Sequence, residues 1–208
     1  MTPLQLWGRL SSINVRKVAW TLRELDLEYE RVEAGGAFGV VDTHEYRRHN
    51  PNGLVPLLED GDFVLWESNV IVRYLCAKHA PGRLYPEDLQ ARADAERWME
   101  WQQTTFNRAS RDAFVQLIRV PAEKRDARLV EQSIAATEPL FAVLDRHLAD
   151  RAYMAGAQFT MADIPLGCEA HRWFNLPRSH PTWPNVERWY TALRRRPATD
   201  TVLDQPLQ

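Results

Sequence analysis

Cysteine is scarce in this chain: Cys76 and Cys168 are the only two, and each lies in an apolar stretch of helix-like spacing. Two distant thiols in such settings read as buried side chains, which excludes a disulfide framework and a cysteine-based zinc site. Lysine is nearly as scarce, with only Lys17, Lys78 and Lys124 in 208 residues, the other basic residues being arginine. That bias reflects genome composition more readily than a site selecting guanidinium geometry. Excess positive charge is missing too: 26 basic against 28 acidic residues leave a net charge of -2 and a pI near 6.3. Sequence-independent phosphate binding needs a basic excess, so nucleic acid is excluded as the main partner. No apolar run approaches the ~20 residues of a membrane span, and the opening MTPLQLWGRLSS lacks the charged start and long apolar centre of a signal peptide. No membrane association and a cytoplasmic location are therefore expected. The six histidines show no H-E-x-x-H spacing, and no metal is expected.

What is present suffices for a core, since 45% of residues are hydrophobic and 26% charged. Leu4-Gln5-Leu6-Trp7 alternates like a strand until Gly8 breaks it. From Asn14, the positions Val15, Val18, Ala19, Leu22 and Leu25 follow helical spacing, and Ser11, Ser12 and Asn14 are all competent N-cap types. Tyr29 to Val32 reads as a second strand, followed by a glycine-rich loop and a short, weakly helical stretch. After the turn Asn50-Pro51-Asn52-Gly53, the segments Val55–Leu58 and Phe63–Leu65 flank Asp60-Gly61 as a hairpin. Glu67-Ser68-Asn69 then opens an amphipathic helix closed by Pro81-Gly82. The order is β-α-β-α-β-β-α.

Beyond Pro86 strand signals stop and helical periodicity takes over. A long helix is expected from Trp98 to about Val120, and another through Leu129, Ile134, Leu140, Phe141, Leu144 and Leu148, kinked at Pro139. Thr160-Met161-Ala162-Asp163 has the form of a capping box ahead of a buried helix. Val186, Trp189, Tyr190 and Leu193 mark the last helix, and Arg194-Arg195-Arg196 at its end suits the negative dipole pole and reads as a solvated terminus. The chain therefore divides into an α+β domain at 1–82, a linker at 83–90 and an all-helical domain at 91–208.

Ligands of open α/β sheets bind where loops follow the carboxyl ends of strands. Three polar turns gather there: Ser11 to Asn14, Asn52 to Pro56, and Glu67 to Asn69. Each alone is an ordinary cap or turn. Together they supply hydroxyl donors, an extended backbone before proline, and a carboxylate beside a helix N-terminus.

The strings W-G-R-L-S-S-I-N-V-R-K-V, N-P-N-G-L-V-P-L-L, L-W-E-S-N-V-I-V-R-Y-L and F-T-M-A-D-I stand in this order over essentially the whole chain. In them the sequence resembles the cytosolic glutathione transferases, within these the bacterial, theta-like branch. The resemblance implies a thioredoxin-like N-terminal domain, a helical C-terminal domain, glutathione as co-substrate and a homodimer. By the same resemblance, Val55 would pair its backbone with the cysteinyl part of glutathione, and Pro56 would be a cis-proline. Glu67 and Ser68 match the pair that receives the γ-glutamyl end, a carboxylate for its ammonium and a hydroxyl with helix amides for its carboxylate. Leu54 departs from the Lys or Gln that many relatives place there for the glycyl carboxylate, so another group must hold that end. Ser12 aligns with the catalytic serine of theta-like enzymes; Asn14 is a second candidate in the same loop and Ser11 a third. Neither Tyr nor Cys occupies this loop, which argues against tyrosine-type and mixed-disulfide branches.

A free thiol, with a pKa of about 8.5, is only ~3% ionised at pH 7. A hydrogen bond to the sulfur anion and the positive end of the following helix would ionise it for attack on an electrophilic carbon. The electrophile is expected between this loop and the first long helix of the second domain, where Arg108, Arg111, Phe114 and Val115 sample one broad face. Arg111 and Arg9 are the candidates for a small, acidic electrophile such as a halo-acid; a surface or domain-interface role for Arg111 is the alternative. Disulfide reduction, dehalogenation or isomerisation on the same site, or a non-catalytic interaction module of the same fold, are the competing readings. Trp7, Trp66, Trp98 and Trp101 read as core or interface aromatics.

Overall fold

The structure, a computed structural model, describes residues 4–208. It divides into two compact units, Met1–Tyr85 with Ala198–Gln205, and Pro86–Pro197 with Pro206–Gln208. The sequence reading gave everything from 91 onward to the second domain, whereas here the segment Ala198–Gln205 belongs with the first. Its Val202 and Leu203 are both buried, and an isolated apolar pair near a terminus carries no periodicity that would announce its partner.

In the first unit, β1 (Leu4–Trp7), α1 (Ile13–Glu24), β2 (Tyr29–Val32), α2 (His44–His49), β3 (Leu57–Asp60), β4 (Phe63–Trp66) and α3 (Ser68–His79) follow the expected order. The sheet runs β2-β1-β3-β4. β1 pairs parallel to β2 and antiparallel to β3, and the β3–β4 hairpin turns at Gly61, φ +62°. Strand alternation sends Leu6 and Leu58, paired in register, to the buried face. Val15, Val18, Ala19 and Leu22 of α1 and Ile71, Val72 and Leu75 of α3 are buried with them, and α1 packs on α3. The β3 strand begins at Leu57, so Val55 and Pro56 lie ahead of it as irregular backbone.

The second unit is helical throughout: α4 (Leu89–Trp101), α5 (Asn107–Phe114), α6 (Ala127–His147), α7 (Asp163–Phe174) and α8 (Pro184–Arg194). Helix begins at Leu89, nine residues ahead of the expected start at Trp98, because Asp88 caps it through a bond from Ala91 N at 2.8 Å. The first turn, Leu89-Gln90-Ala91-Arg92, has an exposed leucine and no apolar stripe, which hides that start from a reading based on apolar spacing. Helical backbone then continues to Arg119 through two π-helical stretches, Gln102–Phe106 and Val115–Arg119. α6 runs through Pro139. Arg196 lies over the Phe159 ring at 3.9 Å, so this part of the basic triplet is packed where a solvated end was expected. Both cysteines are buried, as the sequence suggests, and burial pushes the Cys76 thiol up to about 12. Among the described residues no helix is long and apolar enough to cross a membrane.

Candidate functional site

Three irregular segments of the first unit carry the candidate residues. The first follows β1. Gly8 sits at φ +145°, and a Cβ there would come within 2.4 Å of Val15 Cγ2, so only glycine lets the loop turn this closely over α1. Ser12 then occupies the N-cap of α1 in extended backbone, and its side chain makes no cap hydrogen bond. The usual role of a serine at this position is therefore unfilled, and its hydroxyl stands at the positive end of the helix dipole. Ser11 has an interaction of its own. Asn14 lies in the first turn with its Oδ1 buried and without a hydrogen-bond partner.

The second segment precedes β3. The Val55–Pro56 bond is cis, as the resemblance implies. The carbonyl of Leu54, one residue ahead, accepts from Tyr46 Oη at 2.6 Å and from Asn50 Nδ2 at 2.8 Å. Burial pushes the Tyr46 phenol up to about 12, against the lowering effect of its hydrogen bond with Asn50, so it remains a protonated donor. Asn50 Oδ1 in turn accepts from Asn52 N at 3.1 Å, an Asx turn that shapes the approach to Gly53. Tyr46 and Asn50 thus anchor the backbone next to Val55. Sequence reasoning missed both: Tyr46 fell in the weakly helical stretch and Asn50 read as a turn former. The Leu54 side chain itself is 66% exposed.

The third segment is the start of α3, where Glu67 is the N-cap residue with φ +72°, an uncommon conformation for a side chain of its size. Glu67 is exposed, while Ser68 and Asn69 are buried. The first amides of a 12-residue helix face this end without intrahelical partners, which suits a carboxylate.

Arg9 is brought toward the second segment through the glycine loop. A Cβ on Gly35 would lie 2.8 Å from Arg9 Nη1 and 3.3 Å from Val55 Cγ1, and one on Gly36 would lie 3.0 Å from the Arg9 guanidinium carbon. Gly35 and Gly36, at φ +77° and +59°, therefore leave room for the guanidinium beside Val55. In the second unit, Arg111 on α5 is 66% exposed, and Asp112 is its near carboxylate at 3.6 Å. The broad shared face expected for Arg108, Arg111, Phe114 and Val115 does not form: Phe114 is buried and lies under the guanidinium groups of Arg119 and Arg172, while Arg108 and Arg111 are exposed. Among the tryptophans, Trp98 is a core residue and Trp66 is 36% exposed.

Two buried polar centres in the second unit each gather three donors on one carboxylate. Asp163 Oδ1 accepts from Met154 N at 2.9 Å and Trp189 Nε1 at 2.8 Å, and Oδ2 from Thr160 N at 2.9 Å. This is the acidic half of the expected capping box, with two more donors than its sequence form requires. Glu169 accepts from Gln102, Ser110 and Arg172 at 2.8, 2.5 and 2.5 Å. Among the described residues no group of three or more His, Cys, Asp or Glu could hold a metal ion.

A sheet of this order with a cis-proline before β3 and polar helix starts at Ser12 and Glu67, followed by a helical unit, is the two-part architecture that the sequence resemblance implies. Residues 2–77 match the family Glutathione S-transferase, N-terminal domain, and residues 109–197 match Glutathione S-transferase, C-terminal domain. The chain belongs to the glutathione S-transferase family and is an enzyme of that class. It is 41% identical over 206 residues to glutathione S-transferase GstB of Escherichia coli strain K12, covering 98% of this chain and 99% of that protein. It is 33% identical to glutathione S-transferase 3 of Zea mays, covering 100% and 96%. Among solved structures it is similar to the theta class glutathione S-transferase of Xanthomonas axonopodis pv. citri with glutathione bound, at a TM-score of 0.96 and 43% identity over 100% of both chains.

Proposed function

We propose that glutathione lies along Val55, with its γ-glutamyl ammonium on Glu67 and its γ-glutamyl carboxylate on Ser68 and the first amides of α3. The glutathione bound to the Xanthomonas relative supports a site of this kind in so similar a chain. Ser12 donates its hydroxyl hydrogen to the sulfur anion. The observation that carries this role is that Ser12 holds the N-cap position of α1 without a side-chain cap bond. Lowering a thiol pKa by two units requires about 2.7 kcal/mol, which one charge-assisted hydrogen bond and a helix N-terminus together can supply. The thiolate then attacks an electrophilic carbon and displaces halide or adds to an activated double bond.

The electrophile is small and anionic, such as a halo-acid, and Arg9 is the residue proposed to recognise its charge, being held beside Val55 by the two glycines. Arg111, exposed on α5, is a second cationic candidate. The protein works as a homodimer in the cytoplasm: the absence of a disulfide between its two buried cysteines supports the location, and the exposed apolar side chains Phe63, Trp66 and Val70 on the β4–α3 surface support the dimer. Calorimetric titration with glutathione, combined with thiolate absorbance, tests the site; saturable binding with an ionised thiol is expected. No binding would overturn the proposal, and binding without ionisation would remove the role of Ser12. Arg9→Ala and Arg111→Ala should each raise KM for a halo-acid more than KM for glutathione. Light scattering should give twice the chain mass of 24.1 kDa.

A further inference from the structure

Arg16 is 3% exposed in the first full turn of α1, and its guanidinium joins two remote stretches of backbone. Nε donates to Leu10 O at 2.6 Å, and Nη2 donates to Gln205 O at 3.0 Å. Leu10 belongs to no helix or strand, so its carbonyl supports nothing but the short loop that leads to Ser12. Two local backbone bonds also hold that loop: Ser12 N to Arg9 O at 3.1 Å, and Arg16 N to Ser12 O at 3.0 Å. A buried, permanently charged fork on the loop is a strong fixing element, because its donors are lost to water if the carbonyls move away.

We infer that Arg16 is a positioning residue for the thiolate donor, clamping the Leu10–Ser12 loop to the C-terminal segment at Gln205. The inference rests on the proposed role of Ser12. It assigns a function to the segment Ala198–Gln205, which belongs with the first unit although Pro86–Pro197 intervene in the chain. Rigid placement of Ser12 Oγ over the sulfur position makes its hydrogen bond available to the anion without reorganisation. Loosening the loop therefore raises the thiol pKa while leaving the tripeptide contacts at Val55, Glu67 and Ser68 in place.

The test is the pH dependence of bound-thiolate absorbance in wild type, Arg16→Gln, Arg16→Lys and a chain lacking residues 205–208, with KM and kcat for each. Arg16→Gln is expected to raise the bound thiol pKa by about one unit and to lower kcat at neutral pH about tenfold, with KM for glutathione within about twofold. Arg16→Lys, which keeps the charge but reaches one carbonyl at a time, should recover part of both losses. The truncation, which removes the Gln205 acceptor, should shift the pKa in the same direction by less. An unchanged bound thiol pKa in folded Arg16→Gln would overturn the inference, as would a loss of melting temperature and activity together with no pKa shift. If Arg16→Gln does not fold, an unchanged pKa in both other variants overturns it. Failure of wild type to ionise bound glutathione is a different result and would count against the role of Ser12 itself.

Discussion

Two helix starts in this protein use similar polar residues to opposite ends. At α7, Asp163 is fully buried and takes three N–H donors from Met154, Thr160 and Trp189, so its hydrogen-bonding capacity is met within the fold. At α1, Ser12 is itself the N-cap residue, in a partly exposed loop, and makes no side-chain cap bond. A polar side chain at a helix start whose acceptors are filled is structural, whereas a hydroxyl left without its ordinary cap bond keeps its hydrogen for the role proposed for Ser12. The α3 start follows the second pattern, with exposed Glu67 in a positive-φ conformation beside buried Ser68.

The sharpest way to break this contrast is to exchange the consequences. Asp163→Ala leaves three buried N–H groups without an acceptor and should destabilise the fold by about 3–5 kcal/mol in urea unfolding. Whatever folded protein remains should keep the bound thiol pKa of wild type. Asp163 also has a pH signature: burial pushes its carboxyl up to about 6, outweighing the donors that favour the ionised form. Between about pH 4 and 6 the folded chain then holds a proton that the unfolded chain has released. Its contribution to stability accordingly falls as pH rises through that window and is constant above it. The stability of wild type minus that of Asp163→Asn should drop by about 3 kcal/mol at most from pH 4 to 6 and stay level to pH 8.

Ser12→Ala should do the reverse, lowering kcat about 10–100-fold, the worth of one hydrogen bond to an anion. Its unfolding free energy should change by less than about 0.5 kcal/mol, since no cap bond is removed. Asn14→Ala is the control in the same loop, and a larger kcat loss there would move the donor role to Asn14. Glu67→Gln should raise KM for glutathione about tenfold with kcat nearly unchanged, as expected for a contact to a part of the substrate that does not react. Tyr46→Phe, which leaves Asn50 as the remaining side-chain donor to Leu54 O, is the mildest and should raise that KM only severalfold.

The order of elements in the first unit was legible because alternation at Leu4–Trp7, the Asp60-Gly61 turn and the apolar faces of α1 and α3 are local signals. The cis bond at Val55–Pro56 was legible only through family resemblance, as no local pattern distinguishes it from an ordinary proline. Tyr46, Asn50 and Arg16 were not legible as site residues, because each acts on a backbone carbonyl, and a carbonyl leaves no mark in the side-chain sequence. Arg16 is the extreme case, since one of its partners is 189 residues away. The early start of α4 was hidden because its first turn carries an exposed leucine and no apolar stripe, and the burial of Phe114 by arginines above its ring. Ser12, Glu67 and Ser68 were visible as a group, but their difference from Thr160-x-x-Asp163 lay entirely in which cap bonds form.

The central claim is that Ser12 ionises the thiol of bound glutathione. The direct measurement is thiolate absorbance of the saturated complex against pH, in wild type and Ser12→Ala. A bound thiol pKa well below about 8.5 in wild type that returns toward that value in Ser12→Ala is the predicted result. The same lowered pKa in both proteins would contradict it.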